Sequence, residues 1–336
     1  MIFNGIDLCC PYCKNELLQQ QEMLECASCH RVFPVIFGIP DLRIFPDPYI
    51  DFESDREKAR HLASQFDELT FAEMVRFYYL TTSVVPAHHA KQYTRGLLAA
   101  GARAEATWKE WGSEMATRDS FLEIGCGTAP LLIEAAKYRS EVIGVDIALR
   151  WLVVAKKRLQ EAGVTVPLVC ACAEALPFPG ERFETVVFDS TLEVVQDQKR
   201  TLQETRRVLK PLGHLRIMTP NRYSLGPDPH MKLFAGGYLP NRVIAAYARR
   251  QNAIPPKRNL LSAGSLKRFL QDAGFDLIQI SLPSISEDQK SQLPAIVQKA
   301  VSLYNISRNK PLLGALFRRI GPLLQAVAIK PAGVES

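Results

Sequence analysis

Between residues 120 and 219 the chain alternates short apolar runs with longer stretches whose apolar residues recur at helical spacing. The runs at 121–124, 142–146, 166–170, 185–189 and 215–219 read as strands, and those at 131–136, 149–159 and 201–209 as helices. A strict strand–helix alternation leaves few options: it predicts an α/β fold with a doubly wound, Rossmann-like parallel sheet, whose ligands sit at the carboxyl ends of the strands. The remaining segments must be fitted around that core.

The first strand runs into Glu123-Ile-Gly125-Cys126-Gly127-Thr-Ala129, where glycines allow a ligand to approach the backbone at a helix start. Asp146 ends the next strand, the place from which a carboxylate bonds ribose hydroxyls. A dinucleotide-binding turn would share both features. Here, however, Pro130 takes the last glycine position of G-x-G-x-x-G counted from Gly125, and Glu123 would repel a pyrophosphate. An acid at that point suits a ligand carrying an ammonium or sulfonium cation.

Of eight cysteines, five lie in the first thirty residues. Cys10-Pro-Tyr-Cys13 and Cys26-Ala-Ser-Cys29 form two CxxC knuckles with zinc-ribbon spacing, and four thiolates leave no open coordination position, so the expected zinc is structural. Cys9 and His30 adjoin the set as alternative ligands, and 17–18 and 23–24 read as hairpin strands. So small a module gains folding energy from metal. Reduced, clustered cysteines predict a cytoplasmic protein. Two further observations agree: no apolar run reaches membrane-span length without charges, and residues 1–7 lack an export-signal pattern.

Residues 118–283 resemble a class I S-adenosylmethionine (SAM)-dependent methyltransferase of the broad type 11 group, and the ribbon resembles modules that accompany several such enzymes. The resemblance rests on Glu123, Gly125 and Gly127 with Ala129 for a third glycine; on Asp146; on Ala171-Cys172-Ala173-Glu174-Ala-Leu-Pro-Phe178; and on Phe183–Asp189 followed by Leu192-Glu193-Val194-Val195. Arg207-Val-Leu-Lys-Pro-Leu-Gly213 completes the set. It implies SAM as cofactor, held by Glu123, Gly125, Cys126, Gly127, Asp146, Ile147, Cys172, Ala173, Glu174 and Asp189. Cys172 replaces the aspartate that normally receives the adenine amino group, and Val195 stands where many members carry histidine. Those two departures leave a SAM-binding scaffold without activity as one reading.

The implied organisation is a ribbon over 1–47, a helical preface over 48–117 with helical spacing at 53–80 and 86–111, and a methyltransferase domain over 118–336. A helical insertion near 284–323 is expected to cover the site, with its apolar face buried on its own domain; the alternative for that face, with Arg308, Lys310, Arg318 and Arg319, is peripheral membrane contact. Candidate catalytic residues are His230 as a general base with Asp228 beside it, and more weakly His88 and His89 at a helix start. The expected acceptor is a small molecule, a lipid or a glycan precursor. The competing acceptor is rRNA or tRNA, docked by the ribbon and by residues 199–268, where fifteen Lys and Arg face two acids. A plain solvated surface explains the same charges.

Overall fold

The computed structural model describes all residues except 1, 4, 83, 84, 86, 116–118, 227–232, 251–253, 286, 292–294 and 333–336. At the amino end, β1 (Ile2–Phe3) and β2 (Ile6–Asp7) form a small ribbon, and β3 (Leu17–Gln20), β4 (Met23–Cys26), β5 (Val32–Ile36) and β6 (Ile39–Pro40) form an antiparallel sheet. Four helices follow: α1 (Phe52–Ala63), α2 (Phe71–Thr81), α3 (Ala87–Leu98) and α4 (Ala100–Met115). The two long helices expected over 53–80 and 86–111 are thus each divided. In the first case α1 ends at Ala63 and Thr70 opens a new helix: its hydroxyl accepts from the Glu73 N–H while Glu73 reaches back to the Thr70 N–H, a capping box.

The core then unfolds in order as β7 (Ser120–Ile124), α5 (Pro130–Ala136), β8 (Glu141–Asp146), α6 (Leu149–Glu161), β9 (Leu168–Cys170), β10 (Phe183–Asp189), α7 (Gln198–Val208) and β11 (Leu209–Pro220). After α8 (Asn241–Arg250) and α9 (Ala263–Asp272) come β12 (Asp276–Ser281), α10 (Glu287–Ser291), α11 (Ala295–Ser307), α12 (Pro311–Ile320) and β13 (Leu323–Ile329). The seven-stranded sheet has the order β12-β13-β11-β10-β7-β8-β9, and β13 runs antiparallel to both its neighbours. Strand order reverses between β7 and β10, which creates a crevice at their carboxyl ends. This is the expected doubly wound, Rossmann-like α/β fold.

Successive residues of the central strands point to opposite faces and bury two cores. Leu122, Ile124, Ile143, Val145, Val186 and Phe188 pack with α7, α9 and the ribbon residues Phe3, Ile6, Leu8, Leu17 and Leu24. Phe121, Val142 and Val187 pack with Ala59, Leu62, Met74, Trp108, Leu132 and Leu152 from the helices of the other face. The ribbon is therefore seated on the sheet. Leu42 N–H donates to the Cys170 carbonyl at 2.7 Å, Cys9 N–H to the Pro177 carbonyl at 3.0 Å, and Lys14 Nζ reaches Leu176 O at 3.1 Å and Glu204 at 2.9 Å.

The insertion between β12 and β13 corrects an expectation. It packs on α4, where Arg308 and Ser284 meet Glu110, and on the turn after β11, where Asn221 Nδ2 donates to the carbonyls of Arg318, Arg319 and Gly321. None of its described residues lines the cavities described below. Nor is its apolar face fully buried: Leu303 and Ile306 on α11 and Leu312 and Leu316 on α12 are exposed, while α12 seats itself through Gly314, whose backbone lies against the Arg308 carbonyl, and Phe317, whose ring packs on Tyr304. Among the described residues no helix is long and apolar enough to cross a membrane.

Candidate cofactor and metal sites

At the switch point lies a cavity of about 250 Å³ lined from the strand ends by Ile124, Gly125, Asp146, Ile147, Ala173 and Asp189. Each is placed by local chemistry. Gly125 has φ +80°, and a Cβ there would fall 2.0 Å from Thr191 Oγ1, so only glycine fits between strand end and loop. Pro130 opens α5 at its first turn, where a missing N–H costs nothing, which is why it occupies a position where a dinucleotide turn has glycine. Asp146 accepts from Gly127 N–H and from Ala148 N–H, both at 2.8 Å, tying the glycine turn to the start of α6. One lone pair on each oxygen remains for a ligand.

Three carboxylates close the ends of neighbouring strands: Glu123 on β7, Asp146 on β8 and Asp189 on β10. Burial raises all three pKa values, and for Glu123 the charges of Asp189 and Asp146 add to the shift. Glu123 Oε2 is buried without a hydrogen-bond partner. No Lys or Arg among the described residues lines the cavity. Such a set repels phosphate and favours a ligand that brings its own positive charge, while Asp146 suits a ribose and the apolar Ile147, Val194, Val195 and Ala173 suit a flat base.

The other side of the cavity was not anticipated as part of the site. Phe45 and Pro48, in the Pro-rich stretch read as a linker, line it directly. They are fixed by a buried ionic network: Arg43 forks onto Asp41 at 2.7 and 2.8 Å, reaches Asp55 at 2.7 Å and donates to the Ile147 carbonyl at 3.0 Å; Arg150 then joins Asp55 at 2.6 Å to Asp47 at 3.1 Å. A Pro-rich run after a small module is a weak sequence signal for a binding wall; the ion pairs leave none.

Of the residues expected to hold cofactor, Gly125, Asp146, Ile147, Ala173, Glu174 and Asp189 line the cavity. Glu123, Cys126, Gly127 and Cys172 do not line it. Gly127 and Cys126 belong to the turn behind it, and Cys172, fully buried, turns its thiol to the Phe45 carbonyl at 3.4 Å. The aspartate's usual position is thus given over to anchoring the N-terminal wall. Glu174 also has a local role, accepting from Gln196 and Asp197 N–H at 2.8 and 3.1 Å and so holding the loop that carries Val194 and Val195. Asp228 and His230 lie outside the described residues, as does the side chain of His88. His89 is buried and faces a second cavity.

In the ribbon, the sulfurs of Cys10, Cys13, Cys26 and Cys29 all lie within 4.8 Å of one another, with Cys10–Cys29 at 3.6 Å and Cys13–Cys26 at 3.4 Å. Zinc–sulfur bonds of about 2.3 Å place tetrahedral sulfurs roughly 3.8 Å apart, so the cluster fits that ion. Backbone N–H of Asn15 lowers the Cys13 pKa to about 6, and that of Arg31 lowers Cys29. The alternative ligands stay apart: His30 is exposed beside Glu25, and Cys9 is outside the cluster.

Residues 122–217 match the family described as "Methyltransferase domain". The chain is 40% identical over 101 residues to the ubiquinone biosynthesis O-methyltransferase of Cereibacter sphaeroides (strain ATCC 17029 / ATH 2.4.9), covering 30% of this chain and 41% of that protein. It therefore spans about two-fifths of that relative's length. To the ubiquinone/menaquinone biosynthesis C-methyltransferase UbiE of Nitrosospira multiformis it is 26% identical over 242 residues, covering 67% of this chain and 88% of the relative. Among solved structures, phosphoethanolamine N-methyltransferase 2 of Haemonchus contortus aligns with a TM-score of 0.47 at 19% identity, over 68% of this chain and 52% of that one.

Proposed function

We propose that the chain is a SAM-dependent methyltransferase acting on a small-molecule acceptor, with lipid and glycan-precursor acceptors inside that class. The observation that carries the reading is the pair of lining carboxylates Asp146 and Asp189, with Glu123 Oε2 buried nearby without a partner, at a cavity that no Lys or Arg among the described residues lines. The methyltransferase domain match and the quinone-biosynthesis relatives support it.

When bound, SAM supplies a methyl group on a sulfonium, which an acceptor lone pair takes as the carbon–sulfur bond breaks, leaving a neutral thioether and an acceptor proton to be removed. Everything else is positioning by this chain. Asp146 would hold ribose hydroxyls, Ile147, Ala173 and Phe45 would line the base, Gly125 would admit the methionyl part, and Asp189, with Glu123 buried nearby, would favour the cationic form over its neutral product. The last effect aids product release. The ribbon cluster we assign to one structural zinc, held by Cys10, Cys13, Cys26 and Cys29 with no position left for substrate.

The RNA alternative rests on the basic segment, part of whose charge is taken up within the fold. Within it Arg207 is committed to Glu204, Lys210 to Glu184 and Arg206 to the Gly274 carbonyl.

Calorimetry with SAM tests the reading. The wild type binds saturably, and Asp146→Ala loses about 1–3 kcal/mol, the range of a hydrogen bond to a charged group. Unchanged affinity in that variant overturns the site. Transfer of labelled methyl to ribonuclease-sensitive material would replace the small-molecule reading with the RNA one.

A further inference from the structure

Beside the cofactor cavity, and sharing Pro48, Asp146, Ile147 and Val194 with it, lies a second cavity of about 450 Å³. Its size suits a small organic ligand. The wall is unusually aromatic: Tyr78, Tyr79 and Tyr93 from α2 and α3 join Trp151 from α6 and Tyr49 from the N-terminal strap. These rings support one another, with Tyr78–Trp151 centroids 4.5 Å apart, Tyr79–Trp151 5.9 Å and Tyr79–Tyr93 6.2 Å. His89 extends the surface, stacked on Tyr93 at 5.9 Å.

An aromatic wall recognises either a planar ring or an organic cation, and charge decides between them. Lys58, Arg150 and Arg258 line the cavity against two acids, Asp47 and Asp146. Both acids are committed: Asp47 to Arg150 and the Tyr49 N–H, Asp146 to two backbone N–H groups. Lys58 makes no ion pair among the described residues, its ammonium lying 5.9 Å from the Tyr78 ring. An ammonium ligand would meet like charge here, whereas a carboxylate or phenolate would meet Lys58.

We infer that this cavity is a second ligand site bordering the cofactor cavity and that it takes a planar aromatic compound bearing an acidic group, the ring against Tyr79 and Trp151 and the anion toward Lys58. The inference rests on the methyltransferase reading above, since the shared residues Pro48, Asp146, Ile147 and Val194 join the second cavity to the one assigned to SAM.

The test uses the full chain saturated with S-adenosylhomocysteine and three kinds of probe: aromatic acids (benzoate, 3,4-dihydroxybenzoate, 1-naphthoate), the cation tetramethylammonium, and the aliphatic acid octanoate. Binding is followed by calorimetry and tryptophan fluorescence. At least one aromatic acid should bind tenfold or more tightly than both controls, and Lys58→Gln should weaken it about tenfold while leaving SAM affinity as in the wild type. Preference for the cation, equal binding of octanoate, absence of binding by all three aromatic acids, or indifference to Lys58→Gln each overturns the assignment. If SAM and its product fail to bind the wild type, it is the methyltransferase reading that falls; if Lys58→Gln weakens SAM itself, the second cavity belongs to the cofactor.

Discussion

The two walls of the cofactor cavity are built by different physics. The strand-end wall is backbone chemistry: Asp146 bonded to two N–H groups, Glu174 bonded to two more, and a glycine where no Cβ fits. The N-terminal wall, Phe45 and Pro48, lies outside the strands and is tied down by charges brought together from distant parts of the chain, Asp41 and Arg43 with Asp55 and Arg150. Hydrogen bonds within a turn tolerate local change. A buried ion network fails as a unit, because removing one member strands the others.

Arg43→Ala is therefore expected to have the largest effect. Burial alone would push the Asp41 carboxyl up, but Arg43 and Arg56 outweigh it and hold it below the usual range. Without Arg43, Asp41 retains Arg56, Asp55 retains Arg150 and the Leu149 N–H, and the Ile147 carbonyl loses a donor. A loss of about 3 kcal/mol is expected, the lower end for breaking a buried pair, because partners remain. Thermal unfolding checks the stability. Calorimetry below the melting point should also show weakened SAM binding; undiminished affinity would mean that Phe45 and Pro48 are bystanders.

The next effect lies on the strand-end side. Glu193 is buried, and burial raises its pKa to about 7 despite a hydrogen bond from Thr219 at 3.0 Å. Since the folded value lies above the unfolded one, near 4.5, the folded state holds the proton more tightly. Its contribution is fully present below about pH 4.5 and is lost as pH rises toward 7, with a swing on the order of 3 kcal/mol. Glu193→Gln should remove that part of the pH dependence. Unfolding curves of the two proteins from pH 5 to 8 should diverge as pH rises, the variant becoming relatively more stable; parallel curves would sink the assignment.

What could be read in the sequence follows the same division. Periodicity placed the strands and helices of residues 120–219 because each element must alternate or repeat to bury one face. Spacing placed Asp146 at a strand end and gathered four cysteines. The capping box at Thr70 was also legible in principle, as T-x-x-E before an apolar run, yet the longer helical pattern masked it. Arg43, Asp55 and Arg150 were not legible. Charged residues read as surface in any single-sequence pattern, and nothing local distinguishes an aspartate on a helix face from one that meets two arginines inside. Cys172 shows the same limit: the family pattern assigned it to adenine, while the structure turns it toward Phe45, a residue in the other wall.

The smallest expected effect probes whether the strand-end wall carries strain of its own. Ala129 caps α5 with φ +62° and ψ +30° and no side-chain hydrogen bond. An L-residue in that left-handed region costs about 1–2 kcal/mol relative to right-handed backbone, and glycine relieves it. Two terms oppose the gain. Glycine loses more backbone entropy on folding, about 0.5–1 kcal/mol, and the fully buried Ala129 methyl gives up packing worth a similar amount. The difference leaves Ala129→Gly within about 0.5 kcal/mol of the wild type, in contrast to the loss at Arg43, with SAM affinity unchanged because the φ angle at Gly127 and the Asp146 bonds are preserved. A melting shift of more than a few degrees in either direction, read beside an unchanged or altered calorimetric Kd, would show that strain at the helix start is coupled to the cofactor wall rather than absorbed by the turn.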